Sequence, residues 1–122
     1  MNGEAPELKG RTKQFALRII RMYSSLPKSD AVAQVLGKQV LRSGTAVGAN
    51  YHEASRGRSR AEFISKVGDC LKEAEETGYW LELLVEAAAV PINKMTGLLG
   101  ETHQLIAIFT SIDKKAKSHE KD

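Results

Sequence analysis

Residues 59–89 read SRAEFISKVGDCLKEAEETGYWLELLVEAAA, and this run decides the fold. Ser59 followed by Glu62 has the spacing of a capping box, in which the hydroxyl and the carboxylate satisfy free N–H groups at a helix start. Behind that cap, Phe63, Ile64, Val67, Leu71, Ala74, Leu81, Leu84, Val85 and Ala88 recur at the three- and four-residue spacing of one helical face. Cys70 falls on the same face and reads as a small core residue. The pattern predicts a helix from residue 60 to about residue 89, with Pro91 as punctuation.

The same periodicity continues on both sides. Upstream, Gly57 and its neighbours make a turn, and a second helix is expected over about residues 30–55, capped by Ser29 or Asp30. Its apolar arc contains Val32, Leu36, Val40, Val47 and Ala54. Before it, Phe15, Ala16, Ile19, Met22, Tyr23 and Leu26 place a first helix at about 8–26, ended by Pro27. Downstream, Met95, Leu98, Leu99, Leu105, Ile106, Phe109 and Ile112 place a fourth at about 92–112, weakened early by Gly97 and Gly100. Residues 1–7 and 113–122 read as frayed tails. Four helices with short connections predict an all-α, antiparallel up-down-up-down four-helix bundle in one domain over 1–122.

Composition agrees with a single globular core: 122 residues, 42% hydrophobic and 27% charged. One cysteine cannot form an intrachain disulfide, which points to a reducing cytoplasm. The start lacks the basic and apolar regions of a signal peptide, and the most apolar stretch, 83–92, is interrupted by Glu86 and Pro91. No membrane association is therefore expected. The net charge of +3 is unevenly spread. Residues 1–60 hold eleven Lys and Arg against four acids, and residues 61–93 hold two bases against seven acids. Such a split suits either self-pairing or a nucleic-acid partner.

Polar residues interrupt the apolar arc of the second helix. Gln39, Ser43 and Asn50 occupy its centre, with Arg42 and Glu53 on one flank. Buried polar groups must be hydrogen-bonded, so these residues are expected to form a structural network. Antiparallel pairing predicts an ion pair from Arg42 to Glu73 or Glu76, a bond from Asn50 to the third or fourth helix, and Glu53 beside Arg60. Another face of this helix aligns Gly37, Gly44 and Gly48, which predicts a close backbone approach by another helix.

Two outer stripes are candidates for binding. Arg11, Gln14, Arg18 and Arg21 line the first helix, with Leu17 exposed beside them. Glu62, Asp69, Glu73, Glu76, Trp80 and Leu83 line the third, with Tyr79 also outside the core arc. An aromatic and a leucine among acids suit an interface core with a polar rim, so Leu17, Glu62, Asp69, Tyr79, Trp80 and Leu83 are candidate oligomer contacts. A basic stripe meeting an acidic one is a heterologous contact, of the kind that closes into rings. Arg56, Arg58 and Arg60 form the densest positive cluster, and with Arg11, Arg18 and Arg21 they are candidate anion or nucleic-acid contacts. No aromatics accompany the cluster, so nucleic-acid binding through it should be non-specific and salt-dependent.

Catalytic and metal-binding patterns are missing. His52, His103 and His119 are isolated, and His52-Glu53 lacks the second histidine of a helical zinc site. Ser43-Gly44-Thr45 sits mid-helix, away from any strand-to-helix elbow. The sequence predicts no enzyme, no metal and no cofactor.

The stretch from Gln39 to Ala54, QVLRSGTAVGANYHEA, closely resembles a known family, as do Ala61-Glu62-Phe63-Ile64, Leu71 to Thr77 and Tyr79 to Leu84. The family is the bacterial four-helix-bundle group encoded in intervening sequences of 23S ribosomal RNA genes. It includes the accessory variability determinants of diversity-generating retroelements. The resemblance covers all four helices and is strongest from Gln39 to Leu84. It implies a small cytoplasmic bundle that assembles as a ring-like homopentamer, with no catalytic activity. The retroelement members are strongly basic and bind nucleic acid and a reverse transcriptase. The recurring Arg, Asn and Glu of the family fall on Arg42, Asn50 and Glu53. The resulting expectation is a non-enzymatic, homo-oligomeric interaction scaffold with non-specific affinity for RNA or DNA. The alternative is a nucleic-acid-binding accessory protein of a reverse transcriptase.

Overall fold

The computed structural model describes residues 4–87 and 89–121, with side-chain environments for 7–87 and 89–118. Helix α1 spans Glu4–Ser25, α2 Ala31–Ala54, α3 Arg60–Glu86 and α4 Thr96–Lys121. A single 3-10 turn, Ile92–Lys94, precedes α4, and no strand occurs among the described residues.

Local chemistry explains most of the ends. The Asp30 carboxylate accepts from Ala33 N–H at 3.0 Å and starts α2. Ser59 Oγ accepts from Glu62 N–H at 3.1 Å, while Glu62 Oε1 accepts from Arg58 N–H at 2.6 Å. The carboxylate thus reaches one residue further back than a standard capping box does. α3 stops at Glu86, short of the expected 89, because Ala89 and Val90 N–H groups both turn back to Leu84 O. Ala88, expected on the inner face, lies outside the described residues. Pro91 is extended, and the one tight turn after it delays α4 to Thr96.

Neither tail behaves as the sequence suggests. α1 already starts at Glu4, four residues before the expected residue 8. α4 continues to Lys121, well past 112, because its inner face keeps finding cover: Ala116 is 8% exposed, and Asp113 pairs with Lys117 one turn on.

The helices form a four-helix bundle. Contacts between α1 and α2 pair Gly37 with Tyr23 and Leu26, Gly44 with Ile19, and Gly48 with Thr12, so the two helices are antiparallel. Between α2 and α3, Ser43 meets Thr77 and Glu53 meets Lys66, again antiparallel. Between α1 and α4, Arg18 lies over Gly97 and Arg11 reaches Glu101. Phe15, Ile19, Val40, Val47, Leu81, Leu84, Met95, Leu105 and Phe109 fill the interior, where Tyr51 tilts onto Phe109 with ring centroids 5.9 Å apart. Val32, expected on the apolar arc of α2, is instead 53% exposed, because it lies one residue off the line through Ala33, Gly37, Val40, Gly44 and Val47.

The core also holds four hydroxyls, on Thr12, Ser43, Thr77 and Thr102. Three donate to a carbonyl of their own helix, Thr12 to Lys9 O, Ser43 to Gln39 O and Thr102 to Leu98 O, while Thr77 Oγ1 lies 2.7 Å from Glu73 O and 2.8 Å from Ser43 Oγ. Such back-bonding satisfies a buried hydroxyl without any partner from another helix.

Two helical glycines, Gly44 of α2 and Gly100 of α4, separate two effects. A Cβ at Gly44 would stand 2.7 Å from Ile19 Cγ1, whereas one at Gly100 would meet nothing within 4 Å. Gly44→Ala should therefore lose about 1–2 kcal/mol net, overpacking of roughly 1–3 kcal/mol outweighing the helix-propensity gain. Gly100→Ala should gain up to about 1 kcal/mol. Urea-denaturation midpoints of the two variants check the opposite signs.

Candidate functional site

The most developed polar site lies on the α2–α3 seam. Arg42 Nη2 donates to Glu76 Oε2 at 2.7 Å and Nη1 to Glu73 Oε1 at 3.3 Å. One residue along, inside the bundle, the Ser43 and Thr77 hydroxyls meet at 2.8 Å and are fully buried. One hydroxyl donates to the other, which passes its own proton to a backbone carbonyl. The seam is thus an ion pair at the surface over a hydroxyl pair in the core.

The Arg42 hydrogen bond holds the Glu76 carboxyl below its ordinary range, against a smaller opposing effect of burial. The Trp80 indole N–H, one turn on, adds a weaker pull on the same carboxylate. It does not reach hydrogen-bonding geometry, and the indole nitrogen is buried without a partner among the described residues. Trp80 stacks edge-on against Tyr79, ring centroids 5.1 Å apart, and Tyr79 is 56% exposed. The register set by Ser43 and Thr77 brings Val35 of α2, 62% exposed, level with the 83–85 segment of α3, where Leu83 is half-buried. Tyr79, Trp80, Leu83, Val32 and Val35 therefore give this end of the seam an apolar outer surface.

The remaining members of the expected network are elsewhere. Asn50 does not reach α3 or α4. Its Nδ2 donates to Ala46 O at 3.0 Å, the local bond that a helical asparagine can always make to the preceding turn. Glu53 does not sit beside Arg60, since Lys66 Nζ, a turn and a half further along α3, takes its carboxylate at 2.6 Å. That contact lowers the Glu53 pKa and raises that of Lys66. Gln39 is half-buried, and its carbonyl accepts from Ser43.

Several charges of the two stripes are internally engaged. Arg11 is held by Glu101 at 2.7 and 2.9 Å and by Gln104 at 2.6 Å. Glu62 closes the cap of α3, and Glu73 and Glu76 are held by Arg42. Leu17, expected to be exposed, is half-buried, as is Asp69. Arg18 and Arg21 are exposed and have no ion pair among the described residues. At the α2–α3 turn Arg56 approaches His52 Nε2 at 3.4 Å, while the exposed Arg58 and Arg60 guanidinium groups have no ion pair among the described residues.

Cys70 is fully buried, and that burial pushes its thiol up to about 12, far from a reactive thiolate. No group of three or more metal-binding side chains occurs among the described residues, and the side chain of His119 lies outside them. No helix among those residues is long and apolar enough to cross a membrane.

Thr77, Lys66 and Glu101 are the partners that sequence reasoning missed. Thr77 lies on the same face as Cys70, Ala74 and Leu81, a buried face on which its hydroxyl meets that of Ser43.

The profile of the 23S rRNA-intervening sequence protein family matches residues 7–111. The chain belongs to that family. Among solved structures it is similar to a protein of unknown function from the S23 ribosomal protein family of Bacteroides thetaiotaomicron. The two share 37% identity and a TM-score of 0.82, over 90% of this chain and 97% of that one. No curated protein matches the sequence. The stretch Gln39–Ala54, which carries the resemblance, contains both Arg42 and Ser43 of the seam.

Because the folded-state pKa of Glu76 is depressed, the stabilisation it draws from Arg42 is complete above its ordinary value of 4.5 and disappears as pH falls through the lower folded value. With Arg42 half-exposed, solvent screening limits the effect to about 1 kcal/mol or less. Arg42→Met should lose about that much at pH 7 and show a correspondingly shallower decline below pH 4.5, measured by urea unfolding across pH.

Proposed function

We propose that this protein is a non-enzymatic, homo-oligomeric interaction scaffold of the bacterial cytoplasm, assembling as a pentamer and binding RNA or DNA non-specifically. The observation that carries self-assembly is the exposed Tyr79, stacked on Trp80 whose indole N–H is buried without a partner among the described residues. With Val32 and Val35 nearby, these rings give an apolar surface of the kind that interface cores provide. Charge complementarity is the smaller part of this reading, because Arg11, Glu62, Glu73 and Glu76 have partners within their own chain. Light scattering on the purified chain tests the proposal: a mass several times 13.4 kDa is expected, falling to 13.4 kDa for Tyr79→Glu. A wild-type chain that remains at 13.4 kDa at every concentration overturns it.

Nucleic-acid binding is supported by Arg56, Arg58 and Arg60, which lie on one turn and whose guanidinium groups make no ion pair among the described residues. The register of the helices brings the lysines of α4 at 114, 115 and 117 to the same end of the bundle. The same feature suits the alternative, an accessory protein of a reverse transcriptase. Binding of single-stranded RNA should weaken steeply with salt, and replacing all three arginines by glutamine should reduce the slope of log K against log salt by about 2. An unchanged slope would remove these arginines from the interface.

A further inference from the structure

The basic stripe of α1 is neutralised at one end only. Arg11 is held by Glu101 and Gln104, whereas Arg18 and Arg21 have no acidic partner among the described residues. These two arginines line a cleft of about 440 Å³ between the second half of α1, the link before the 3-10 turn and the first turn of α4. Lys94 also lines the cleft, together with the apolar side chains of Met22, Met95 and Leu98. No carboxylate is among its lining residues.

Two features shape this space. Helix α1 touches α4 far less than it touches α2, so the α1–α4 seam stays open beyond the Arg11 clasp. Gly97 has no side chain to displace Arg18: a Cβ there would stand 3.1 Å from Arg18 Nη2. The guanidinium therefore rests against the α4 backbone at the edge of the cleft. Three like charges around one apolar floor repel one another, and an anion seated among them relieves that repulsion. Arginine forks match phosphate and carboxylate oxygens in pairs, and thioethers make favourable contacts with aromatic rings.

We propose that this cleft binds a small amphipathic anion, an aromatic or aliphatic body carrying a phosphate or carboxylate group. The charged head lies among Arg18, Arg21 and Lys94, and the body rests on the half-buried Met22, above the buried Met95 and Leu98. The cleft lies across the bundle from the α2–α3 seam and at the opposite end from Arg56–Arg60.

Calorimetric titration of the full-length protein with 1-naphthyl phosphate and 1-naphthoate tests the site, with inorganic phosphate and 1-naphthol as probes lacking the body or the charge. At least one naphthyl anion should bind at a single site, at least tenfold more tightly than both incomplete probes, and the tighter of the two identifies the preferred head group. The double variant Arg18→Gln/Arg21→Gln, with helical circular dichroism unchanged, should weaken that binding at least tenfold, while Arg56→Gln/Arg58→Gln should leave it unchanged. The inference is overturned if neither naphthyl anion binds, or if an incomplete probe binds as tightly. Retained affinity in the Arg18/Arg21 variant, or an equal loss in the Arg56/Arg58 variant, overturns it as well.

Discussion

Along Gly37, Gly44 and Gly48 the backbone of α2 takes Tyr23, Ile19 and Thr12 of α1 into the space that side chains would occupy, and the arrangement of the bundle follows from that contact. A helix that gives up side chains on one face must be held on others, and α2 is held by Val40 and Val47 in the core and by Ser43 and Arg42 against α3. Close packing of this kind has little tolerance for added volume. With α1 and α3 both seated on α2, α4 closes the bundle against α3 and meets α1 only lightly. The Arg11–Glu101 pair bridges that lighter seam, and the cleft bordered by Arg18 and Arg21 opens beyond it.

Charge follows the same logic. Only part of the charge split is met within one molecule: Arg42 of the basic half takes Glu73 and Glu76 of α3, Arg11 takes Glu101 of α4, and Lys66 on α3 takes Glu53 on α2. Three surfaces stand out for partners. They are the apolar end of the α2–α3 seam, the arginines of the turn before α3, and Arg18 and Arg21 of α1 with Lys94 of the 3-10 turn.

The helices were legible because each apolar face repeats over several turns, and the caps at Asp30 and Ser59 mark starts that short-range chemistry enforces. The Arg42 pairing with Glu73 and Glu76 was legible for the same reason: antiparallel register across a short turn is nearly fixed. Asn50 and Glu53 were misplaced because a polar side chain on a helix has local alternatives, a carbonyl one turn back or a lysine one turn further, that register does not discriminate. The C-terminal extension of α4 is harder to read because frayed ends and packed ends share a lysine-rich composition, and only Ala116 and Asp113 on the inner face distinguish them. The Arg11 clasp and the cleft beyond it depend on how α1 and α4, the two ends of the chain, come together. No short-range pattern encodes that distance.

If the glycine contact organises the bundle, α2 is the last element to open. Native-state hydrogen exchange reads this directly, since amides that exchange only on global unfolding mark the most stable unit. The account predicts that α2 amides from Val40 to Val47 exchange at the global unfolding free energy, together with those of α1 around Ile19, while α4 amides near Gly97 and Gly100 exchange through smaller openings. Faster exchange of Val40–Val47 than of α4 would contradict it.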